Sequence, residues 1–320
     1  MPRIRRVLAA LAALAALALL LPVAAPASAQ TTPLKVLVQT VASQPVYLAR
    51  DQGIFARHGL DVEISPAPTA DAMMPQLLSG QAQFALASGL AVINAASKGL
   101  PVKLVASALN TSSAVPSSAR LVVPQDSPIH TITDLKGKSV AMGGLRSQPH
   151  LMVMAAAREL GLDPAAISFV EMPVPAMQAA ARKGTVDAVY PFEPYLGAMM
   201  KSSFRPVEPS LTKYLEGSPV IAFAASSDYL EKNPKVVQQF IAAMTEAFEL
   251  ANHNPQLVRD VDLKYTKLPP DFIKSRDITP FSAVIDKAAL ARMAALMKDF
   301  GWIPRVPSMN ELLAAQAVAK

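Results

Sequence analysis

Cysteine is absent from the 320 residues. That excludes disulfides, Cys-ligated zinc, iron–sulfur clusters, a thiolate nucleophile and a lipid anchor of the bacterial lipoprotein kind. Histidine is scarce. The four residues His58, His130, His150 and His253 never fall within a helical turn of one another, so no His-based metal site is expected. No basic run interleaved with aromatics is present, and nucleic acid is not an expected partner. The chain also lacks a G-x-S-x-G elbow, a P-loop and a G-x-G-x-x-G fingerprint. Nothing in the pattern asks for catalysis, so neither an enzyme nor a cofactor is expected.

Beyond the N-terminus there is no apolar stretch long enough to span a membrane. At the N-terminus, Arg3, Arg5 and Arg6 precede fifteen unbroken apolar residues, Val7 to Leu21, and then the small-x-small step Ala27-Ser28-Ala29. These are the three regions of a secretory signal peptide, with cleavage after Ala29. The run is shorter than the ~20 residues of a spanning helix. Its loss lowers the net charge from +6 to +3. The mature chain, from Gln30, is expected to be exported and soluble.

What remains is 52% hydrophobic over the whole chain and 17% charged, ample for a packed core and too apolar for disorder. The 28 Pro are scattered and punctuate elements. Strand and helix patterns alternate. Strands are expected at 34–38, 61–65, 84–87, 102–108, 121–123, 139–142, 167–171, 188–190 and 220–224. Helices are expected between them, among them 45–50, 54–58, 89–97 and 149–160. Pro75 suggests that the helix ending at Gly80 starts late, since Pro is tolerated in a first turn. Asn233-Pro234 and Asn254-Pro255 read as an N-cap followed by Pro at the first helical position. Asp286 and Ser308 read as further caps. The order gives an α/β fold with a helical C-terminal addition.

Four segments together resemble one family. Pro45-Val46-Tyr47-Leu48-Ala49-Arg50-Asp51-Gln52-Gly53-Ile54-Phe55-Ala56-Arg57-His58-Gly59-Leu60-Asp61-Val62 resembles its P-x-Y-x-A-x-x-x-G-x-F-x-x-x-G-L-x-V opening. Gly80-Gln81-Ala82-Gln83-Phe84 resembles its G-x-x-D-F step, with Gln83 in place of the acid. Asp134-Leu135-Lys136-Gly137-Lys138-Ser139-Val140 resembles D-L-K-G-K-x-V. Gly184-Thr185-Val186-Asp187-Ala188, then Phe192-Glu193-Pro194-Tyr195, resemble G-x-V-D-A and an aromatic-acid-Pro-aromatic step. The family is that of periplasmic substrate-binding proteins of ABC importers for nitrate, alkanesulfonates, taurine and pyrimidine thiamine precursors.

The resemblance implies a two-lobe periplasmic-binding-protein fold with the ligand in the cleft between lobes. Lobe I would comprise 30–120 plus 222–320, lobe II 121–221, with crossings near 119–122 and 220–225. It implies a monomer that captures a small organic solute and hands it to an ABC permease and its ATPase. A sensor subunit is the alternative. The self-consuming pyrimidine synthases that resemble this family carry a Cys-rich motif, which this chain lacks.

Ligands of open α/β sheets sit at the carboxyl ends of strands, and that rule selects four loops. After the first strand come Gln39, Thr40, Ser43 and Gln44, with Ser43 either a cap or a ligand donor. Ser88 and Gly89 follow the third strand, the serine again a cap or a contact, the glycine open to close backbone approach. Gly143, Gly144, Arg146 and Ser147 precede a helix whose free N–H groups and positive dipole suit an anion. Arg146 either forks onto it or is a solvated loop residue. Tyr190, Phe192 and Glu193 offer an aromatic floor and an acceptor, or Glu193 caps the next helix. The expected ligand is an organic anion larger than nitrate, because Tyr190, Phe192 and Met142 suggest a roomy apolar cleft. The Met residues near strand ends, Met73, Met74, Met142 and Met172, read as pocket lining or, more often, as core.

Overall fold

The computed structural model describes residues 31–39, 42–67, 70–114 and 118–320. The expected signal segment and Thr40 lie outside them. Two five-stranded sheets organise the described chain. The first has the order β2-β1-β3-β10-β4, from β1 (Thr32–Val38), β2 (Leu60–Pro66), β3 (Phe84–Ser88), β4 (Val102–Asn110) and β10 (Pro219–Ser226). The second has the order β7-β6-β8-β5-β9, from β5 (Val122–Pro124), β6 (Ser139–Met142), β7 (Ser168–Glu171), β8 (Ala188–Tyr190) and β9 (Phe204–Pro206). In each sheet three parallel strands meet one antiparallel strand, β10 against β3 and β5 against β8.

Helices connect the strands: α1 (Gln44–Asp51), α2 (Ile54–Arg57), α3 (Ala70–Leu78), α4 (Gly89–Ser97), α5 (Gln148–Glu159), α6 (Val174–Arg182) and α7 (Tyr195–Met200). After β10 only helices follow: α8 (Ser227–Lys232), α9 (Pro234–His253), α10 (Pro255–Tyr265), α11 (Pro270–Ser275), α12 (Lys287–Asp299) and α13 (Met309–Leu312). The central parallel strands β3 and β8 are apolar on both faces, as strands covered on both sides are. In β3, Phe84 to Ala87 are all buried. Phe84 stacks on Phe240 of α9 at 3.9 Å between ring centroids, and Phe223 of β10 meets the same ring edge-on at 5.1 Å. Each ring contributes about 1.5–3 kcal/mol by leaving water.

Two of the family-like motifs turn out to be one structural device used twice. Asp187 precedes β8 and accepts from Ser139 N and Ser139 Oγ, both at 2.8 Å, and from Lys138 Nζ at 3.3 Å. It thereby ties the start of β8 to the start of β6. In the first sheet Gln83 precedes β3, and its Oε1 accepts from Lys35 N of β1 at 2.8 Å. An amide oxygen can accept this N–H where a carboxylate oxygen would, so glutamine fills the acid's place.

Two expectations need correction. Pro75 lies inside α3, which begins at Ala70. Met73 and Leu77 on that helix are fully buried, and their packing outweighs the missing N–H. Asn233 and Asn254 occupy N-cap positions without making the cap bond. Each instead donates its amide nitrogen backwards, Asn233 to Tyr229 O and Asn254 to Leu250 O, closing the preceding helix. β10 itself pairs with both β3 and β4. By contrast Asp286 caps α12 through Ala289 N, and Ser308 forms a capping box with Glu311.

The chain's last residues are sewn onto the segment ahead of α12. Ile285 N donates to Val318 O at 2.8 Å, Lys320 N to Ile285 O at 3.1 Å and Lys287 N to Lys320 O at 3.2 Å. Among the described residues no helix is long and apolar enough to cross a membrane.

Candidate ligand-binding cleft

The carboxyl ends of β4 and β8 face the first turns of α5 around an inner cavity of about 150 Å³. From the first sheet come Leu109 and Asn110 at the end of β4 and Val220 of β10. From the second come Tyr190 at the end of β8 and Gln148, Pro149 and Met152 of α5. The connecting segments add Thr111, Ser112, Ser118 and Ala119, then Thr212 and Thr279. An engineered cavity of about this size holds benzene.

None of the lining residues is Asp, Glu, Lys, Arg or His. Polarity comes from hydroxyls and amides. Gln148 Nε2 donates to Thr111 Oγ1 at 2.7 Å, joining α5 to the end of β4. Burial pushes the Tyr190 phenol well above its ordinary pKa, so it stays protonated. A wider outer chamber of about 580 Å³ shares Ser118 and Thr279 with the cavity. Its walls carry charge of both signs: Glu193, Asp271 and Asp277 against Lys201 and Arg276.

The structure distributes the expected site residues unevenly. Tyr190 lines the inner cavity and Glu193 the outer chamber. Glu193 Oε2 also accepts from Gly197 N of α7 at 3.1 Å, the capping role. Phe192 is 51% exposed and meets Tyr195 edge-on at 6.4 Å. Gly143 packs beside Phe192 and Val174. Gln39 is half-buried beyond β1. Gln44 is buried, and its amide nitrogen donates to Asp262 Oδ1 of α10 at 2.8 Å. Asp262 is fully buried and also holds Arg276.

Ser43, buried at the N-cap of α1, makes no side-chain cap bond. Ser88 does cap α4, through Ala91 N at 3.1 Å. Gly89 permits a close approach, but by the chain itself, since a Cβ there would lie 2.5 Å from Pro219 O.

The loop before α5 is the most changed from expectation. Gly144 is open to its surroundings, but several of the loop's donors are already engaged. Leu145 N donates to Glu171 Oε2 at 3.4 Å, Arg146 N to His150 Nδ1 at 3.0 Å, and His150 N to Ser147 Oγ at 3.5 Å. Arg146 is exposed, with φ +54°, and does not line the cavity. His150 is the hub of this loop, packed on Phe169 at 4.0 Å and Trp302 at 5.0 Å between centroids. Burial, then the Arg146 guanidinium, holds its pKa down at about 4. Met73 and Met142 are core.

Sequence reasoning missed Asn110, Thr111, Ser118, Gln148, Thr212 and Thr279. The polar run Thr111-Ser112-Ser113 directly after an apolar strand was the available signal. Gln148 is the last residue of the predicted loop, next to the expected site residue Ser147. Among the described residues no group of three His, Asp or Glu could hold a metal ion.

Comparison with known proteins sets this geometry in context. The taurine-binding periplasmic protein of Escherichia coli K12 is 27% identical over 233 residues, 72% of this chain and 69% of that one. The putative aliphatic sulfonates-binding protein of the same organism is 28% identical over 186 residues, 58% of this chain and 56% of that one. Among solved structures, the periplasmic aliphatic sulphonate binding protein SsuA of Escherichia coli superposes with a TM-score of 0.75 at 21% identity, covering 89% of this chain and 98% of that one. The fold is thus the periplasmic-binding-protein fold. Residues 41–257, more than half of the sequence, match the family described as NMT1/THI5 like, and the chain belongs to that family.

Proposed function

We propose that this chain is the periplasmic solute-binding subunit of an ABC importer, that it carries a small organic oxyanion of the sulfonate class, and that it is not an enzyme. The observation that carries this reading is the inner cavity, walled by strand ends of both sheets. A solute there touches both halves and favours the closed arrangement. The relatives' names, for taurine and aliphatic sulfonates, supply the class.

An oxyanion can be held without a cation. Thr111, Ser112, Ser118 and Thr279, each bearing a hydroxyl, are among the lining residues, and α5 begins at the cavity wall. A helix N-terminus favours an anion by ~0.3–1 kcal/mol when exposed and up to ~2 when partly buried. Lobe I at 30–120 plus 222–320, lobe II at 121–221, export with cleavage after Ala29 and delivery as a monomer to a permease and its ATPase complete the proposal.

The test is calorimetric titration of purified mature protein with short sulfonates and carboxylates, paired with small-angle scattering. A bound solute should compact the protein. At ~100 times its Kd it should stabilise the fold by about 2.7 kcal/mol. Tight binding with neither change would overturn cleft closure, and no binding of any small anion would overturn the ligand class.

A further inference from the structure

The inner cavity and the outer chamber meet at two residues. Ser118 and Thr279 line both, and no other described residue does. The two are anchored differently. Ser118 O accepts from Glu193 N at 2.9 Å, and Ala119 bridges Phe192, so Ser118 is tied to the loop after β8. Thr279 lies in the span between α11 and α12, which is held on the side of the first sheet.

That span is pinned at both ends. Ahead of Thr279, Arg276 is bound to the fully buried Asp262 of α10. Behind it, Asn252 of α9 clasps the main chain of Phe281. Its Nδ2 donates to Phe281 O and its Oδ1 accepts from Phe281 N, both at 2.8 Å. Ser282 N then donates to Ala108 O at 3.2 Å, and Ser107 N of β4 donates to Ala283 O at 2.9 Å. Pro280 narrows the backbone choices of Thr279 further. A side chain at 279 has no loop to swing away on.

Size gives the junction its importance. The inner cavity, about 150 Å³, is of the size that holds benzene, a ring of six heavy atoms. A sulfonate head takes up four heavy atoms, which leaves room for about two or three carbons. Any longer tail has to leave the cavity. The outer chamber, about 580 Å³, has charge of both signs on its walls. Charged groups hold water, so a tail that enters the chamber meets water and not an apolar wall.

We infer that Ser118 and Thr279 are the jambs of a doorway between the two spaces, and that the side chain at 279 decides how long a solute the protein accepts. The head lodges in the inner cavity, and a longer tail passes the doorway into the outer chamber. This rests on the reading of the inner cavity as the solute site.

The unbranched 1-sulfonates from methane to octane test it by calorimetry. Affinity should rise about three- to fourfold per carbon up to about propane, while the tail fills the cavity. It should then level off to octane. Thr279→Phe should lower the octane-to-ethane affinity ratio by about tenfold or more, because a fixed wall is overpacked. Thr279→Leu should lower it less, in the same direction. Thr279→Val keeps the size and removes the hydroxyl. It should leave the ratio within about twofold, whatever it does to each member, since head and tail are then independent. Urea melts establish that each variant is folded.

A steep loss beyond propane in the wild type would show a cavity with no way out. A rise that continues to octane would put the tail in apolar surroundings elsewhere. Either result overturns the doorway and leaves the solute-binding reading standing, as does an unchanged ratio in Thr279→Phe. If Thr279→Phe binds no member, the ratio in Thr279→Leu decides by the same criterion. If the wild type binds no sulfonate, the matching carboxylates replace them. If neither series binds, the solute class and the doorway fall together.

Discussion

His150 offers the sharpest test of how the α5 region is held. Its imidazole is 8% exposed, wedged against Phe169 and Trp302, and its Nδ1 accepts from Arg146 N. The acceptor role of Nδ1 requires the neutral ring. Burial and the nearby Arg146 guanidinium lower the pKa from 6.5 to about 4. In the unfolded chain the ring takes a proton near pH 6.5, so between pH 6.5 and about 4 the unfolded state binds more protons and stability rises with pH. The contribution is therefore complete above pH 6.5, falls as the solution is acidified, and is exhausted below about pH 4. At 1.36 kcal/mol per unit, the span is worth about 3 kcal/mol.

Carboxylates titrate in the same window, so the comparison must be with a variant. In His150→Asn an amide oxygen replaces Nδ1 as acceptor and nothing titrates. The difference in unfolding free energy between the two proteins, from urea melts at pH 4 to 7.5, should be flat above pH 6.5. It should shrink by about 2–3 kcal/mol toward pH 4. A difference that stays constant across the range would show that the ring is not held neutral by the fold, and the packing argument would fail with it.

Other consequences can be read in the same unfolding assay. Asp187→Ala strips the acceptor from Ser139 N, Ser139 Oγ and Lys138 Nζ and should cost about 2–3 kcal/mol, while Gln83→Ala should cost about 1–2; a null effect at both would sink the shared device. Asp262→Ala leaves Arg276 without its buried partner and should cost about 3 kcal/mol, with a loss under 1 counting against the pair. Gly89→Ala drives a Cβ to within 2.5 Å of Pro219 O. It should destabilise by about 1–3 kcal/mol, and an unchanged urea midpoint would mean that β10 gives way freely.

The sheets were legible because both are built from apolar runs closed by turn residues. Ser139–Met142 and Ala188–Tyr190 fall where the pattern puts them. The short strand Phe204–Pro206 was not legible, since three residues carry no period. The Asn-Pro steps were placed correctly but assigned the wrong bond. Sequence identifies a cap position without saying which helix the side chain turns to. The same limit governs the cleft. Strand-end logic reached Tyr190 and Glu193, whereas Gln44 is drawn away by Asp262, 218 residues distant in sequence. Thr212 and Thr279 arrive from segments with no strand end to announce them.

The stitching of the final residues onto 285–287 bears on how the protein can be handled. Val318 and Lys320 share main-chain bonds with Ile285 and Lys287, and Ile285 is itself fully buried. A fusion appended at Lys320 begins from a backbone already fixed at its last amide, so a stiff partner would pull on the seam that seats α12. Trimming as few as three residues would unpick all three bonds and open Ile285 to water. Labels, tethers and surface attachments are better carried ahead of Thr32, where the first strand pairs along its length with β2 and an extension can leave without breaking a bond.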